Sequence, residues 1–256
     1  MNAIGIVPAR MGASRYPNKP LALIHGMPMV GHCYHRARLA PGLSATYVAT
    51  CDEPIATYVQ GIGGVSVKTS SAHLRATTRT AEAMEQIEAS TGEKVDVVVM
   101  VQGDEPMILP ETIGETLHHF NDPSVDIVNI MSSLRTYEQF IDKNNVKVVV
   151  NKNNDAMYFS REPIPSPWRG IENVPMYMQT GIIAFRRDVL LNFNSQTETR
   201  LEQIESIDMN RVLELGGKIR MVLTEAVTIG VDTPQELLDA AELMRDDAIM
   251  NKYLNL

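Results

Sequence analysis

The order of strand-like and helix-like segments predicts an α/β fold, a Rossmann-like three-layer sandwich with a mostly parallel sheet. Short β-branched runs alternate with longer amphipathic stretches through the first half of the chain. Alternation of that kind requires parallel strands joined by helical crossovers, which cover both faces of the sheet. The run VDVVVMV at 95–101 is nearly all apolar, as a central strand covered on both faces has to be.

Each element has its own warrant. Residues 3–7 (AIGIV) form a buried strand, and 29–39 form a helix after a turn at Gly26–Pro28. Residues 45–50 (ATYVAT) make the second strand, and Pro54 opens a short helix over 53–60. A third strand at 65–69, a helix at 79–88 and the central strand at 95–101 follow. Beyond about residue 120 the rhythm changes, with strands at 126–131 and 146–151. Residues 157–180 are then rich in proline (Pro163, Pro165, Pro167, Pro175) and aromatics (Tyr158, Phe159, Trp168, Tyr177). That stretch is too ordered in composition for a linker and reads as an inserted subdomain or dimer arm, within an insertion spanning about 125–200. A strand at 181–186, a helix at 201–214, a strand at 218–224 and a helix at 234–245 close the chain. Its 256 residues suit one domain carrying that insertion, and a C₂ homodimer.

Composition narrows the function. A formal net charge of −8 argues against a broad nucleic-acid face, which needs clustered Lys and Arg, while leaving room to bind one nucleotide. The opening apolar run is broken by Pro8 and Arg10 and is not expected to be a signal peptide. No stretch approaches the roughly 20 apolar residues of a membrane span. Cys33 and Cys51 lack CxxC spacing and read as reduced thiols in the cytoplasm. The fifteen methionines read as core filler.

Three segments carry the chemistry. Residues 8–20, PARMGASRYPNKP, follow the first strand directly, which places them at the carboxyl edge of the sheet where open α/β folds bind ligands. Arg10, Arg15 and Lys19 supply three cations for a polyphosphate, and Gly12, Ala13 and Ser14 let backbone N–H groups approach an anion. The alternative is a solvated basic loop; neither GxxxxGK[ST] nor GxGxxG occurs in it. Residues 101–106, VQGDEP, put Gln102 and an acidic pair at the end of the central strand, where Asp104 suits Mg²⁺ as a hard oxygen ligand. A strand-ending turn accounts for Gly103 and Pro106 but leaves the acid unexplained. In 229–234, IGVDTP, Asp232 serves equally well as a helix N-cap or as a metal ligand.

PAR…S-R-x-P-x-K-P, Q-G-D-E-P and V-D-T-P, in that order over the whole chain, together resemble the 3-deoxy-manno-octulosonate (Kdo) cytidylyltransferase family. Residues 145–161 (NVKVVVNKNNDAMYFSR) and Ile164–Pro165 also resemble that family's middle region. The resemblance implies a Rossmann-like nucleotide-binding domain, a homodimer, CTP as donor, a small acidic acceptor and Mg²⁺ as cofactor. It implies that Arg10, Ser14, Arg15 and Lys19 hold the triphosphate, with Lys19 on the α-phosphate. It further implies that Gln102 helps read cytosine and that Asp104 and Asp232 hold the metal.

Two departures stand out. The family's D-H-x-S-G-T-[DE]-R corresponds here to residues 72–79, AHLRATTR: His73, Thr77 and Arg79 are kept, and Arg75 is new. These four are the expected base- and ribose-side residues, with Arg75 either solvent-facing or an extra cation. On the acceptor side, Gln179 replaces a histidine and Asp208–Met209 replace a Glu-Gln pair; with Arg161 these form the expected acceptor site. Losing hydrogen-bonding groups that read sugar hydroxyls alters acceptor choice, so Kdo is expected to be a poor substrate. The expected activity is therefore cytidylyl transfer from CTP to Kdo or a related sugar acid with release of pyrophosphate. A smaller acid such as a phosphonate is the alternative acceptor, and a non-catalytic nucleotide-binding protein is the alternative class.

Overall fold

A computed structural model of the chain describes residues 1–12, 16–172, 174–226 and 229–254. Strand β1 (Ala3–Ala9), the hairpin β2 (Leu23–Ile24) and β3 (Met27–Pro28), helix α1 (Met29–Arg38) and β4 (Ala45–Thr50) come first. They are followed by α2 (Glu53–Gly61), β5 (Val65–Lys68), α3 (Ala76–Thr91), β6 (Val97–Val101) and α4 (Pro110–His118). The second half contains β7 (Ile127–Ser133), α5 (Tyr137–Ile141), β8 (Lys147–Val150), β9 (Ala156–Ser160), β10 (Tyr177–Arg186) and α6 (Arg187–Ser195). It ends with α7 (Arg200–Glu205), α8 (Met209–Glu214), β11 (Arg220–Thr224), α9 (Pro234–Leu243) and α10 (Ala248–Leu254).

The main sheet has the order β11-β7-β10-β6-β1-β4-β5, and β8 and β9 extend it beside β10. Along that path β10 alone is antiparallel to its neighbours; every other pair is parallel. Alternate side chains split between two cores, as the pleat requires. Val7, Val97, Val99, Val101, Ile182 and Ala184 face one layer of helices, while Ile4, Ile6, Val98, Met100, Ile183 and Phe185 face the other. This is the expected three-layer mostly parallel α/β sandwich. A third cluster, including Ile24, Met29, Val231, Met244 and Tyr253, binds the hairpin to α9 and α10.

Several elements depart from expectation. Helix α4 is not expected from the sequence; it packs so closely that a Cβ on its Gly114 would lie 2.5 Å from Pro41. Helix α6 follows β10 with no turn residue to announce it. The single helix expected over 201–214 is two, broken where Ser206 takes φ 55°, and Arg211 reaches back across the break to Glu202 with two 2.6 Å bonds. Within 125–200, β7 and β10 are interior strands of the main sheet, and β8 and β9 extend it beside β10. Cys33 and Cys51 are both free thiols, and no described helix is long and apolar enough to cross a membrane.

Candidate active site

The carboxyl end of β1 runs into the first loop, whose Met11 N–H is tied to Asp52 Oδ2 at the end of β4 (2.8 Å). Ser14 and Arg15 lie outside the described residues. Tyr16 and Lys19 return to the sheet edge, and Lys19 is buried there. Beside it β6 ends in Gln102–Gly103–Asp104. A Cβ at position 103 would press on the Pro8 carbonyl at 3.0 Å, so glycine lets the two strand ends approach closely. From the far end of the chain, Val231 N–H donates to the Asp104 carbonyl (2.8 Å), which seats Asp232 next to Asp104.

These three segments converge on one ion cluster. Lys19 Nζ donates to Asp104 Oδ2 and to Asp232 Oδ1, each at 2.9 Å. Burial draws the Lys19 ammonium down, but the two carboxylates outweigh it and hold its pKa above the ordinary value. Both carboxylates keep 29% of their side-chain surface. Two hard oxygen donors aimed at one point, with room for water, fit a divalent ion shared with substrate phosphates. Among the described residues no group of three or more His, Cys, Asp and Glu is gathered, so an all-protein cage of those ligands is not the arrangement. Of the two roles open to Asp232, the cap falls to its neighbour: Thr233 is the N-cap of α9 and makes the capping box with Glu236.

Two cavities meet at this cluster, sharing Gln102, Asp104 and Asp232. The first, about 250 Å³, is lined by Arg10, Tyr16, Lys19 and Gly103. The second, about 330 Å³, is lined by Arg75, Arg161, Gln179 and Asp208. Arg161 is held by Glu205: its backbone N–H meets Oε2 and its Nε meets the carbonyl, both at 2.9 Å. Arg75 borders the same cavity, with Nη1 on Ser206 Oγ (3.3 Å) and Nε 3.7 Å from Glu198, so this departure is not simply solvent-facing. Asp208 accepts from Thr77 (2.9 Å), and burial raises its pKa.

Four expected residues are placed elsewhere, among them Thr77, which is fully buried beneath Asp208 and lines neither cavity. Met209 is fully buried in the core and lines neither cavity, whereas its neighbour Asp208 lines the second. His73 is bonded to Thr78 and Glu82, and Arg79 is buried against Thr69 Oγ1 and the Ser70 carbonyl (3.3 Å). Both brace the third loop and are absent from the two cavities.

Other residues escaped the sequence reading. Lys147 Nζ, fully buried, donates to the carbonyls of Asp142, Asn145 and Arg161 at 2.5–2.7 Å and so shapes the wall carrying Arg161. Asn129 makes a comparable set of bonds to carbonyls in β7 and β10. Glu105 accepts from Gly181 N–H; burial, with Asp104 adding, pushes its pKa up to about 8. The available signal was a polar residue inside an apolar strand run, as in NVKVVV and IVNIM.

An open α/β sheet with a basic loop after its first strand and a carboxylate pair at its carboxyl edge defines a nucleotide-handling transferase. The chain belongs to the cytidylyltransferase family, whose sequence model matches residues 4–219. Within it, the chain is 37% identical over 98% of its length to the whole 3-deoxy-manno-octulosonate cytidylyltransferase of Pelobacter propionicus. It is 38% identical over 97% of its length to 98% of the Escherichia coli protein of the same name. A solved CMP:2-keto-3-deoxy-manno-octonic acid synthetase complexed with CTP superposes with a TM-score of 0.88 at 37% identity, covering 96% of this chain and all of that one. A Leptospira borgpetersenii cytidylyltransferase, at 14% identity and TM-score 0.61, covering 96% and 95% of the two chains, shares the fold.

Proposed function

We propose that this enzyme transfers the cytidylyl group of CTP to Kdo or a closely related 3-deoxy sugar acid, releasing pyrophosphate. The observation that carries the reading is Lys19 bridging Asp104 and Asp232 where the two cavities meet. Cavity one takes the nucleotide, with Arg10, Ser14, Arg15 and Lys19 on its phosphates and Gln102 toward the base. Cavity two takes the acid, with Arg161 and Arg75 for its carboxylate. Asp104 and Asp232 are the residues to hold Mg²⁺, which when bound supplies positive charge to the phosphate oxygens. Lys19, released from the carboxylates, follows the charge that builds on the α-phosphoryl oxygens as the acceptor hydroxyl attacks. Pyrophosphate leaves from the Arg10 side, and no covalent enzyme intermediate is required.

The expectation that Kdo is a poor substrate loses one ground, because Met209 does not line the cavity. Arg75 favours a second reading, in which a smaller acid such as a phosphonate uses both guanidinium groups. The segment 157–177, with Trp168 89% and Met157 62% exposed, is the surface to pair in a homodimer. Two free thiols fit a reducing, cytoplasmic setting.

Pyrophosphate release from CTP and Mg²⁺, with Kdo and 2-hydroxyethylphosphonate as acceptors, tests the reading. Release that requires both CTP and Kdo is expected. Release with the phosphonate alone selects the second reading, and release with neither acid refutes both.

A further inference from the structure

Position 179 departs from the resembled family in having glutamine, and an amide has two faces with opposite chemistry: an N–H pair that donates and a carbonyl that accepts. Which face the acceptor meets decides what the residue recognises. The neighbours of Gln179 settle the orientation without reference to any ligand. Asn129 lies fully buried in β7, and its side-chain nitrogen is 2.8 Å from the Ile182 carbonyl and 3.1 Å from those of Thr180 and Ile130. Carbonyl oxygens only accept, so the Asn129 atom facing them has to be Nδ2; the reversed amide would set oxygen against three oxygens. Asn129 Oδ1 therefore faces the other way and requires a donor. The atom that meets it, at 2.7 Å, is Gln179 Nε2.

The backbone explains why three carbonyls gather there. Strand β10 pairs with β7 up to Gln179 and resumes at Ile183, with an irregularity between them. That break frees the carbonyls of Thr180 and Ile182 from the β7 ladder, and Asn129 satisfies both, while the Gly181 carbonyl accepts from Gln102 N–H (3.0 Å) on the β6 side. Thr180 Oγ1 adds a bond to the Ile130 carbonyl (3.1 Å), and Glu105 holds Gly181 N–H from the other side. The arrangement leaves no slack for Asn129 to flip, and so none for Gln179 to reverse while keeping its partner. Gln179 Oε1 takes no bond from the described residues, and Gln179 lines the 330 Å³ cavity with Arg161 and Asp208.

We propose that Gln179 offers the acceptor its carbonyl oxygen, and so reads a hydroxyl donor of the sugar acid and not its carboxylate. This rests on the acceptor assignment above. The histidine-to-glutamine departure, which by sequence keeps a donor in the site, instead presents an acceptor, because the donor is committed to Asn129. A carbonyl oxygen repels a carboxylate; the guanidinium groups of Arg161 and Arg75, on the same cavity wall, are the groups suited to it.

The experiment is calorimetric binding of Kdo, its monodeoxy analogues and its C1 carboxamide to the full chain and to Gln179→Met and Gln179→Leu. α,β-Methylene-CTP and Mg²⁺ occupy the donor side so that no turnover occurs. Both variants are expected to bind Kdo about tenfold more weakly, the loss of one hydrogen bond in a partly buried site. One monodeoxy analogue is expected to bind wild type and variants alike, within about twofold, because it lacks the hydroxyl that Gln179 reads. The carboxamide is expected to keep the full tenfold loss. Equal weakening of every monodeoxy analogue, or disappearance of the loss with the carboxamide, overturns the proposal. Pyrophosphate release from CTP and Kdo by the wild type reports separately on the underlying reaction.

Discussion

Replacing Lys19 by Met removes the ammonium that separates Asp104 from Asp232 and leaves two carboxylates facing each other. Their oxygens are each 2.9 Å from Nζ, so the pair stands within about 6 Å in the absence of the lysine. At an effective dielectric of about 20, two negative charges at that distance repel by about 3 kcal/mol; their 29% exposure screens this to about 2 kcal/mol. For a chain of this length that lowers Tm by about 5 °C in EDTA. A divalent ion relieves the same repulsion, and at a hundredfold excess over its Kd it returns about 2.7 kcal/mol. In the wild type the ion first has to displace the ammonium, so its net effect is smaller. Thermal unfolding with EDTA and with saturating MgCl₂ should therefore show a larger Mg²⁺ shift for Lys19→Met than for wild type, with cytidylyl transfer lost in the variant. A shift no larger than the wild type's would refute the assignment of these carboxylates to a metal, whatever the activity does.

Three further outcomes follow from the same geometry. Asp232→Asn should abolish turnover and weaken the Lys19 bridge without touching the α9 cap, whereas Thr233→Ala should cost about 1 kcal/mol and keep turnover; activity assays and denaturant melts together separate the two. Burial lowers the pKa of His32 to about 4 from 6.5, where its ring bonds Tyr253 Oη (2.7 Å) and the Ile24 carbonyl (2.8 Å). Its depressed pKa makes its contribution, up to about 3 kcal/mol, fully present above pH 6.5 and lost as pH falls toward 4. Melting curves of His32→Gln should lack that part of the acid limb; an unchanged limb counts against the assignment. Sedimentation velocity at micromolar concentration should give twice the chain mass, and Trp168→Glu should shift the protein toward monomer; a wild type that sediments as a monomer removes the dimer.

The amino-acid sequence by itself determined the sandwich, the position of the basic loop after the first strand and the acids at the sheet's carboxyl edge. These are legible because they depend on local periodicity: a pleat that alternates between two cores, and loops that must leave from strand ends. It also marked positions 179, 208 and 209 as unusual, but not which way each side chain points. Only the tertiary structure decided that Met209 enters the core, that Thr233 and not Asp232 caps α9, and that Lys19 closes the gap between two acids 128 residues apart in sequence. Only the structure set the Gln179 amide, through a partner 50 residues away. The physical reason is common to all of these. Orientation is chosen by hydrogen-bond and charge partners brought together by sheet order, and a period of two or 3.6 residues holds no information about partners on distant strands.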